Sequence, residues 1–413
     1  MNQPGKGIRL TTLLLPQGLN SPSESEFAAL TLRDLLQRIG LVRYLPSPSG
    51  FFDVLPVGQL VLDRACPGLT DAASDAGFQS MAFSPVQARS LMESSGRLDQ
   101  FAQDIYELPG HGRPAILAPA HEEYFTELCK SLGIRSGRQM PVAMYMVGQV
   151  VRRQRNRSSG GLAWTGQIPA FMTYEYALDA SDLRSHGSLL IGAFSALLAR
   201  TGAKVIPIER GPDFIDLMVE SEMGRETVVE CRTCGKAWPD DTGTPCDHEE
   251  SGRTSHIAMS GGMHFIAGDQ FARAAGYRVQ SGGEMRLPSL ATSGFGLSRF
   301  LAVLAERSRR RTRMDWPRGL APFDIYVSSS SGAVEDLVSP DLALFKAKGL
   351  NLLIDDRRRP DTRVADVLGV PLVVNCDERG YLMVSRDGSE VATPAYLSAA
   401  ALADRALGEG LTL

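Results

Sequence analysis

The chain has 413 residues, enough for two to four domains of ordinary size. Apolar residues make up 43% and charged residues 22%, which is typical of a folded globular protein and excludes a disordered or fibrous one. The formal net charge of −4 excludes a global positive field, so any RNA contact would use a local patch. The longest apolar run, 187–199, is shorter than the roughly 18–20 residues that span a bilayer, and we expect a cytoplasmic protein without a membrane segment.

The first three quarters of the chain mix helical and strand-like patterns. Apolar spacing predicts helices at 27–41, 60–76 and 189–198, and short apolar stretches predict strands at 115–117, 144–151, 171–178 and 204–208. The stretch 209–263 combines short strand patterns with a segment rich in Gly, Thr, Pro and Cys. A strongly amphipathic helix is predicted at 295–305, and a basic run at 307–313 follows it; such a run suits either a solvated surface or an RNA backbone.

The pattern changes at 316–322. Beyond it, strands are predicted at 323–327, 350–354 and 371–375, and helices at 333–348 and 363–368. Alternating strands and helices are typical of a small α/β domain with a mixed or parallel sheet. We therefore expect two domains, residues 1–318 and residues 319–413.

The cysteines are unevenly distributed. Three of the six are Cys231, Cys234 and Cys246, and His248 follows closely. A CxxC knuckle with a nearby Cys/His pair supplies the four ligands of a tetrahedral Zn²⁺ site, which would be structural because no position stays open. The alternative is a set of four exposed, reduced side chains that bind nothing.

A glycine-rich turn at 292–299, TSGFGLSR, leads directly into the amphipathic helix. Small residues let a backbone come close to a ligand, and Arg299 one turn into the helix can meet a phosphate. The segment does not fit a dinucleotide fingerprint, because the third glycine is missing. Taken alone, it is also typical of a turn that only caps a helix.

Several further strings occur in a fixed order along the chain. They are FFDVLPVG at 51–58, ESSGR at 93–97, APAHEE at 118–123, RSGRQMP at 135–141, GGMHFIAG at 261–268 and VADVLGVP at 364–371. With the glycine-rich turn as motif 3, the chain resembles class II aminoacyl-tRNA synthetases of the bacterial prolyl type over nearly its whole length. The resemblance implies an α+β fold and a homodimer. Residues 1–318 would form an antiparallel catalytic sheet flanked by helices, and residues 319–413 an anticodon-binding-like α/β domain.

The resemblance also assigns an ATP site. Arg152 matches the motif 2 arginine that holds the α-phosphate and the amino-acid carboxylate, and Arg299 is expected at the γ-phosphate. Gln154 stands where the family has a glutamate that helps to bind adenosine. The aromatic residue that stacks on adenine is either lost, with Ala170 in its place, or supplied by Phe171 in a shifted register. ATP and Mg²⁺ are the implied cofactors.

On the substrate side, Ala120 replaces a threonine that would hydrogen-bond the imino group of proline, while Glu122 is retained. Tyr174 and Tyr176 fall at the expected pocket wall. His264 matches the family's pocket histidine, although a histidine in a glycine-rich turn is as often structural. These changes favour proline or a proline-like, bulkier substrate.

The resulting prediction is ATP-dependent activation of an amino or imino acid as its adenylate, with transfer to tRNA. The stretch 209–263 lies where bacterial relatives often carry an editing domain and is far too short for one, so we expect no hydrolytic proofreading. Substitutions such as Ala120 and Gln154 favour an alternative, a paralogue with a non-tRNA acceptor. A third hypothesis is a non-catalytic binding or regulatory protein. The retention of Arg152, Glu122 and Arg299 argues against it.

Overall fold

The fold comes from a computed structural model that describes residues 7–13, 15, 24–45, 50–109, 112–153, 161–241, 243, 245–330, 333–384 and 396–408. The chain divides into two compact units. The terminal unit comprises Met1–Pro46, Phe52–Ala65 and Leu304–Leu413, and the central unit comprises Ser47–Phe51 and Cys66–Val303.

A nine-stranded sheet forms the core of the central unit. Seven strands follow one another across it in the order Val205–Gly211, Phe214–Glu220, Arg253–Gly268, Ser289–Gly296, Gln167–Ala177, Val142–Val151 and Gln79–Ser80. The strand Glu226–Cys231 pairs with both Arg253–Gly268 and Ala237–Pro239. All neighbours are antiparallel except Gln79–Ser80, which runs parallel to Val142–Val151. This arrangement agrees with the predicted antiparallel catalytic sheet.

The sheet has two covered faces. On the front face, Phe125 of the helix Glu122–Ser131 packs against Tyr174 and Tyr176, with ring centroids 5.9 and 5.6 Å apart. On the back face, Phe194 of the helix Ala180–Ala199 packs against Phe171, with centroids 5.9 Å apart. Side chains along a strand alternate between faces, so even-numbered residues of Gln167–Ala177 face the front and odd-numbered ones the back.

Smaller elements surround this sheet. Short helices span Arg89–Ser94, Leu98–Phe101 and Gln270–Ala274, and 3₁₀ turns span Gly137–Gln139, Gly161–Ala163 and Glu250–Gly252. A three-stranded sheet joins Val86–Ala88, Ala115–Leu117 and Glu107–Leu108, and Val279–Ser281 pairs with Glu284–Arg286. The helices Pro56–Asp75 and Leu297–Ser308 contribute residues to both units.

The terminal unit contains a six-stranded mixed sheet. Its order is Gly7–Arg9, Leu352–Ile354, Ile325–Ser328, Leu372–Asp377, Gly380–Met383 and Tyr396–Leu397, of which the first four run parallel. Its helices are Glu24–Ala29, Leu32–Arg38, Val334–Val338, Leu342–Ala347, Arg363–Leu368 and Ala399–Leu407, with 3₁₀ turns at Leu10–Thr12 and Ser339–Asp341. The strands Val42–Arg43 and Asp53–Val54 form a separate pair. This is the α/β architecture that the alternating pattern predicts.

The division into units differs from the predicted boundary at residue 318. The strand Gly7–Arg9 pairs in parallel with Leu352–Ile354, so the beginning of the chain belongs to the sheet of the terminal unit. A three-residue edge strand is too short to show a periodic pattern, and its partner lies more than 300 residues away in sequence. Among the described residues, no helix combines the length and apolar character needed to cross a membrane.

Two predicted helices are interrupted in the structure. The predicted helix 27–41 is split at Thr31, whose side chain accepts a hydrogen bond from the backbone N–H of Asp34 and starts a new helix. The predicted helix 333–348 is divided by the 3₁₀ turn Ser339–Asp341, where Pro340 cannot donate a helical hydrogen bond. Apolar periodicity continues across both breaks, which is why it predicts one helix in each case.

We expect Gly369→Ala to destabilise the terminal unit by about 2–5 kcal/mol. Gly369 has φ +69°, and an added Cβ would lie 2.6 Å from Trp316 Cδ1. A left-handed backbone costs other residues roughly 1–2 kcal/mol, and overpacking adds about 1–3 kcal/mol. Gly349→Ala is the matched control, since Gly349 has φ +71° but open space around the added atom. Denaturant unfolding should give the larger loss for Gly369→Ala, and equal losses would contradict the packing argument.

Candidate active site

Two adjacent carboxylates begin the helix that covers the front face. Glu122 and Glu123 occupy its first turn, where the helix dipole favours negative charge, and both side chains are buried. They follow the segment containing Ala120, which is also buried. The string APAHEE therefore places two carboxylates at the front face of the sheet.

Arg97 lies between these carboxylates. Its Nη1 donates to Glu122 Oε2 at 3.0 Å and to Glu123 Oε1 and Oε2 at 3.1 Å each. Burial acts to raise the pKa of Glu122, but the charge and hydrogen bond of Arg97, the backbone N–H of Glu122 and the charge of Arg152 together hold that pKa below its ordinary value. For Glu123 burial dominates and raises the pKa. We call Arg97, Glu122 and Glu123 the ion triad.

Arg152 lies beside the ion triad, just after the strand Val142–Val151. Its Nε donates to the carbonyl of Pro119 at 2.9 Å, and its guanidinium carbon lies 5.4 Å from the centre of the Phe101 ring. Burial lowers the pKa of Arg152, and the negative charge of Glu122 opposes that shift. The Pro119 contact uses one of five N–H groups, which leaves a rigid fork suited to a carboxylate or phosphate.

Arg299 approaches the same face from the first turn of the helix Leu297–Ser308. Its Nε donates to Ala163 O at 3.2 Å and its Nη1 to Ser260 O at 2.6 Å. Burial lowers the pKa of Arg299; the negative charge of Asp216 opposes this and the positive charge of Arg152 adds to it. The two predicted phosphate-binding arginines are therefore close enough to influence one another.

An indole ring lies against Arg299. The guanidinium carbons of Arg225 and Arg299 lie 4.4 and 4.9 Å from the centre of the Trp164 ring, and Trp164 Nε1 donates to Met223 O at 2.8 Å. Sequence reasoning assigned no role to Trp164 or Arg97. Arg97 stands in the string ESSGR, which carried the resemblance, but only the fold shows that its partners are the APAHEE carboxylates.

The two predicted pocket tyrosines belong to the core. Tyr176 is fully buried, and its hydroxyl lies 2.7 Å from Thr126 Oγ1. Tyr174 is also buried; its hydroxyl lies 3.5 Å from His121 Nδ1, and the ring packs against Phe83. Burial raises the pKa of both phenols. Of the two tyrosines, Tyr174 lies beside the charged groups. Its ring occupies space there and leaves no additional room for a ligand. This position does not support the prediction of a bulkier substrate.

Phe171 and His264 lie on the back face, away from these charges. Phe171 packs between Tyr145 and Phe194 and is fully buried. His264 Nδ1 lies 2.9 Å from Ser293 Oγ, and a Cβ added at Gly187 would lie 2.2 Å from its Nε2. Burial lowers the pKa of His264 to about 4, so the imidazole is neutral.

These positions correct two predictions. Neither an adenine-stacking role for Phe171 nor a pocket role for His264 fits a side chain on the back face. A shift of one residue along a strand moves a side chain to the other face, and the strings alone do not fix that register. The neighbouring positions, Ala170 and Met263, fall in register with the front. Gln154 lies outside the described residues.

The four predicted metal ligands come together in the central unit. The ligand atoms of Cys231, Cys234, Cys246 and His248 all lie within 4.8 Å of one another. Cys231 ends the strand Glu226–Cys231 and is buried against Trp238, while Cys234 and His248 are exposed. Backbone N–H groups of Cys234 and Thr233 lower the pKa of the Cys231 thiol to about 6. Three sulfurs and one imidazole at this spacing fit a tetrahedral Zn²⁺.

Comparison with known proteins finds individual relatives of the chain. No protein-family model matches the chain. Proline–tRNA ligases of Methylobacterium radiotolerans and Mesorhizobium japonicum are 25% and 26% identical to it over 417 aligned residues, covering 90% of this chain and 93% of each relative.

Solved structures extend the comparison to the fold. Giardia lamblia prolyl-tRNA synthetase in complex with prolyl-adenylate matches with a TM-score of 0.69 at 15% identity, covering 93% of this chain and 77% of that one. Cryptosporidium parvum prolyl-tRNA synthetase with L-proline and AMP gives a TM-score of 0.69 at 12% identity, with 94% and 76% covered. These matches confirm the predicted fold class.

The hydrogen bond between Tyr176 and Thr126 can be tested by a double-mutant cycle. We expect Tyr176→Phe to lower the free energy of unfolding by about 1 kcal/mol, because it removes one buried hydrogen bond. Thr126→Val should lower it by about 1–3 kcal/mol, because it leaves the buried Tyr176 hydroxyl unpaired and also removes the hydrogen bond from Thr126 Oγ1 to the Glu122 carbonyl. The double variant should lose less than the sum of the two, with a coupling of about 0.5–1.5 kcal/mol. Strict additivity in denaturant unfolding would show that the two hydroxyl groups do not interact.

Proposed function

We propose that this chain, a class II prolyl-tRNA synthetase-like protein, uses ATP to activate an amino or imino acid as its adenylate and transfers the acyl group to tRNA. The observation that carries the proposal is the grouping of Glu122, Arg152 and Arg299 on one face of the sheet. The relatives are named proline–tRNA ligases, and one solved neighbour holds prolyl-adenylate.

The proposed reaction needs charge neutralisation more than proton transfer. A carboxylate oxygen of the amino acid forms a bond to the α-phosphorus of ATP, and the bond from that phosphorus to the pyrophosphate oxygen breaks. Arg152 would bind the α-phosphate and the attacking carboxylate, and Arg299 the γ-phosphate. Both guanidinium groups are already anchored on backbone carbonyls, so little reorganisation is needed as charge develops.

Mg²⁺ would accompany the nucleotide and offset phosphate charge. Asp216 and Glu226, whose charges reach Arg299, offer oxygen donors of the kind that Mg²⁺ prefers. Both also form ion pairs with Arg210, at 2.7 and 2.6 Å. These two carboxylates are the ones that we assign to the metal.

We infer that the substrate is small, proline or a ring of similar size. The ammonium or imino group would contact Glu122 and the carboxylate Arg152. Ala120 offers no hydroxyl to the substrate, and the buried Tyr174 ring occupies space beside Glu122. This modifies the prediction of a bulkier substrate.

Transfer to tRNA is supported by the terminal unit, whose α/β sheet has the architecture expected of an anticodon-binding-like domain at 319–413. A non-tRNA acceptor is the second candidate, and the front-face position of Ala170, which offers no aromatic ring for adenine, favours such a specialised paralogue. We also propose that the protein works in the cytoplasm as a homodimer. Aminoacylation of bulk tRNA by the purified protein separates the two acceptors.

We assign one structural Zn²⁺ to Cys231, Cys234, Cys246 and His248. The support is the mutual distance of the four ligand atoms and the soft, sulfur-rich donor set. Four protein ligands close the coordination sphere, so the ion would stabilise the segment 209–263 and take no part in adenylate formation.

Arg152→Ala should lower amino-acid-dependent ATP–pyrophosphate exchange by about 10²–10³-fold, since it removes a preorganised charge from the reacting phosphate. Arg153→Ala is the matched control, because the neighbouring Arg153 side chain is exposed. Thermal unfolding should confirm that both variants are folded. Near-normal exchange by folded Arg152→Ala would refute the assigned role.

Purified protein should contain about one zinc per chain, and Cys231→Ser should lower metal content and thermal stability together, because metal binding and local folding are coupled. Cys66→Ser, outside the cluster, should change neither. Metal analysis is the measurement. Wild-type protein with well under half an equivalent of zinc, after purification without chelators, would remove the assignment.

A further inference from the structure

One arginine serves two carboxylates in the ion triad. The side chains of Arg97, Glu122 and Glu123 are 16%, 7% and 5% exposed, so all three charges are largely withdrawn from water. A single nitrogen, Arg97 Nη1, contacts both carboxylates, and Ser95 Oγ adds a 2.7 Å hydrogen bond to Glu123 Oε1. Counted as ionised groups, the triad carries a net charge of −1.

The neighbouring arginine does not cancel this charge by direct pairing. Among the described residues, Arg152 forms no ion pair with either carboxylate, and its Nε contact is to the carbonyl of Pro119. A buried charge without a partner of opposite sign is costly. The excess negative charge of the triad is therefore understandable if a bound ligand supplies a positive charge. The site therefore pairs a negative region at the triad with a positive group at Arg152.

We propose that Glu123 is a specificity-determining positioning residue: by sharing Arg97 with Glu122 it keeps the ion triad negative, so that the site selects ligands bearing an ammonium or imino group. This proposal rests on the proposed function and deepens it. Without the second carboxylate, Arg97 would form a one-to-one pair with Glu122, and that pair would be neutral. Glu123 acts through Arg97 and need not touch the substrate.

Two aromatic rings hold the guanidinium group of Arg97 in place. Its guanidinium carbon lies 5.0 Å from the centre of the Phe101 ring and 5.1 Å from that of Phe271. Stacking of this kind limits guanidinium motion and favours one orientation. Glu122 Oε2 is occupied by Arg97, so Oε1 is the oxygen that we assign to the incoming ammonium or imino group.

Glu123→Gln is the variant that tests the proposal. Glutamine keeps the size of the side chain and can still bond Ser95 and Arg97, but it removes the negative charge. The probes are L-proline and cyclopentanecarboxylate, which has the same ring with CH₂ in place of the imino group. If the wild-type protein activates another amino acid better than proline, that amino acid and its des-amino analogue are used as the probes instead. Affinities are measured by calorimetry, and ATP–pyrophosphate exchange is measured in parallel.

We expect Glu123→Gln to lower the preference for proline over cyclopentanecarboxylate by roughly tenfold, because Arg97 then neutralises Glu122 and weakens its attraction for the cationic group of the ligand. Ser95→Ala, which loosens Glu123 without removing its charge, should lower the preference by a smaller factor. Glu127→Gln is the matched control, because Glu127 lies one turn along the same helix and pairs with Lys130 at the surface. It should leave the preference unchanged.

A purely structural role for Glu123 would weaken both ligands alike and leave their ratio unchanged. If the wild-type protein is active and folded Glu123→Gln has the same ratio of affinities for the two ligands, this proposal is overturned and the proposed function is unaffected. Should Glu123→Gln fail to fold, an unchanged ratio in Ser95→Ala overturns it instead. Wild-type protein that neither binds nor activates any amino acid overturns both.

Discussion

The alternation of side chains along the strand Gln167–Ala177 is the constraint on which the rest of the site depends. Both faces of the sheet are covered by helices, so each side chain of the strand packs on one face only. The front face receives Tyr174 beside the ion triad, whereas Phe171 is committed to the back with the helix Ala180–Ala199. His264 follows the same rule through its contact with Ser293.

The front face is chemically distinctive because it holds charges away from water. Arg97, Arg152 and Arg299 are each anchored by hydrogen bonds, to carboxylates or to backbone carbonyls. Charges interact more strongly there than at the surface. Burial lowers the pKa of Arg152 and Arg299, whereas neighbouring positive charges and hydrogen bonds hold the pKa of Glu122 down despite its burial. Such a site suits a zwitterionic substrate and a polyphosphate, since both need fixed charges of defined sign.

The cysteine-rich segment has few apolar side chains with which to build a core. The stretch 209–263 includes the strands Phe214–Glu220, Glu226–Cys231 and Ala237–Pro239 and the first part of Arg253–Gly268. The apolar cluster around Cys231 consists of Val229 and Trp238, with Cys246 against it. That cluster is a small apolar core for the segment that joins the strands Glu226–Cys231 and Arg253–Gly268 of the sheet. A Zn²⁺ held by four side chains would supply the missing cross-link, as metals do in other small folded segments.

By itself, the sequence determined the α/β alternation, the string containing Glu122, the two arginines Arg152 and Arg299, and the grouping of four metal-ligand residues. The alternation and the ligand grouping are patterns of residue type and spacing along the chain, whereas Glu122, Arg152 and Arg299 were assigned through the resemblance of ordered strings to a known family. Tertiary structure alone decided that Gly7–Arg9 pairs with Leu352–Ile354, that Arg97 joins Glu122 and Glu123, and which face Phe171 and His264 occupy. The physical reason is that a one-residue register step reverses the direction of a side chain, and pairing over long sequence separations is set by packing that no local pattern encodes.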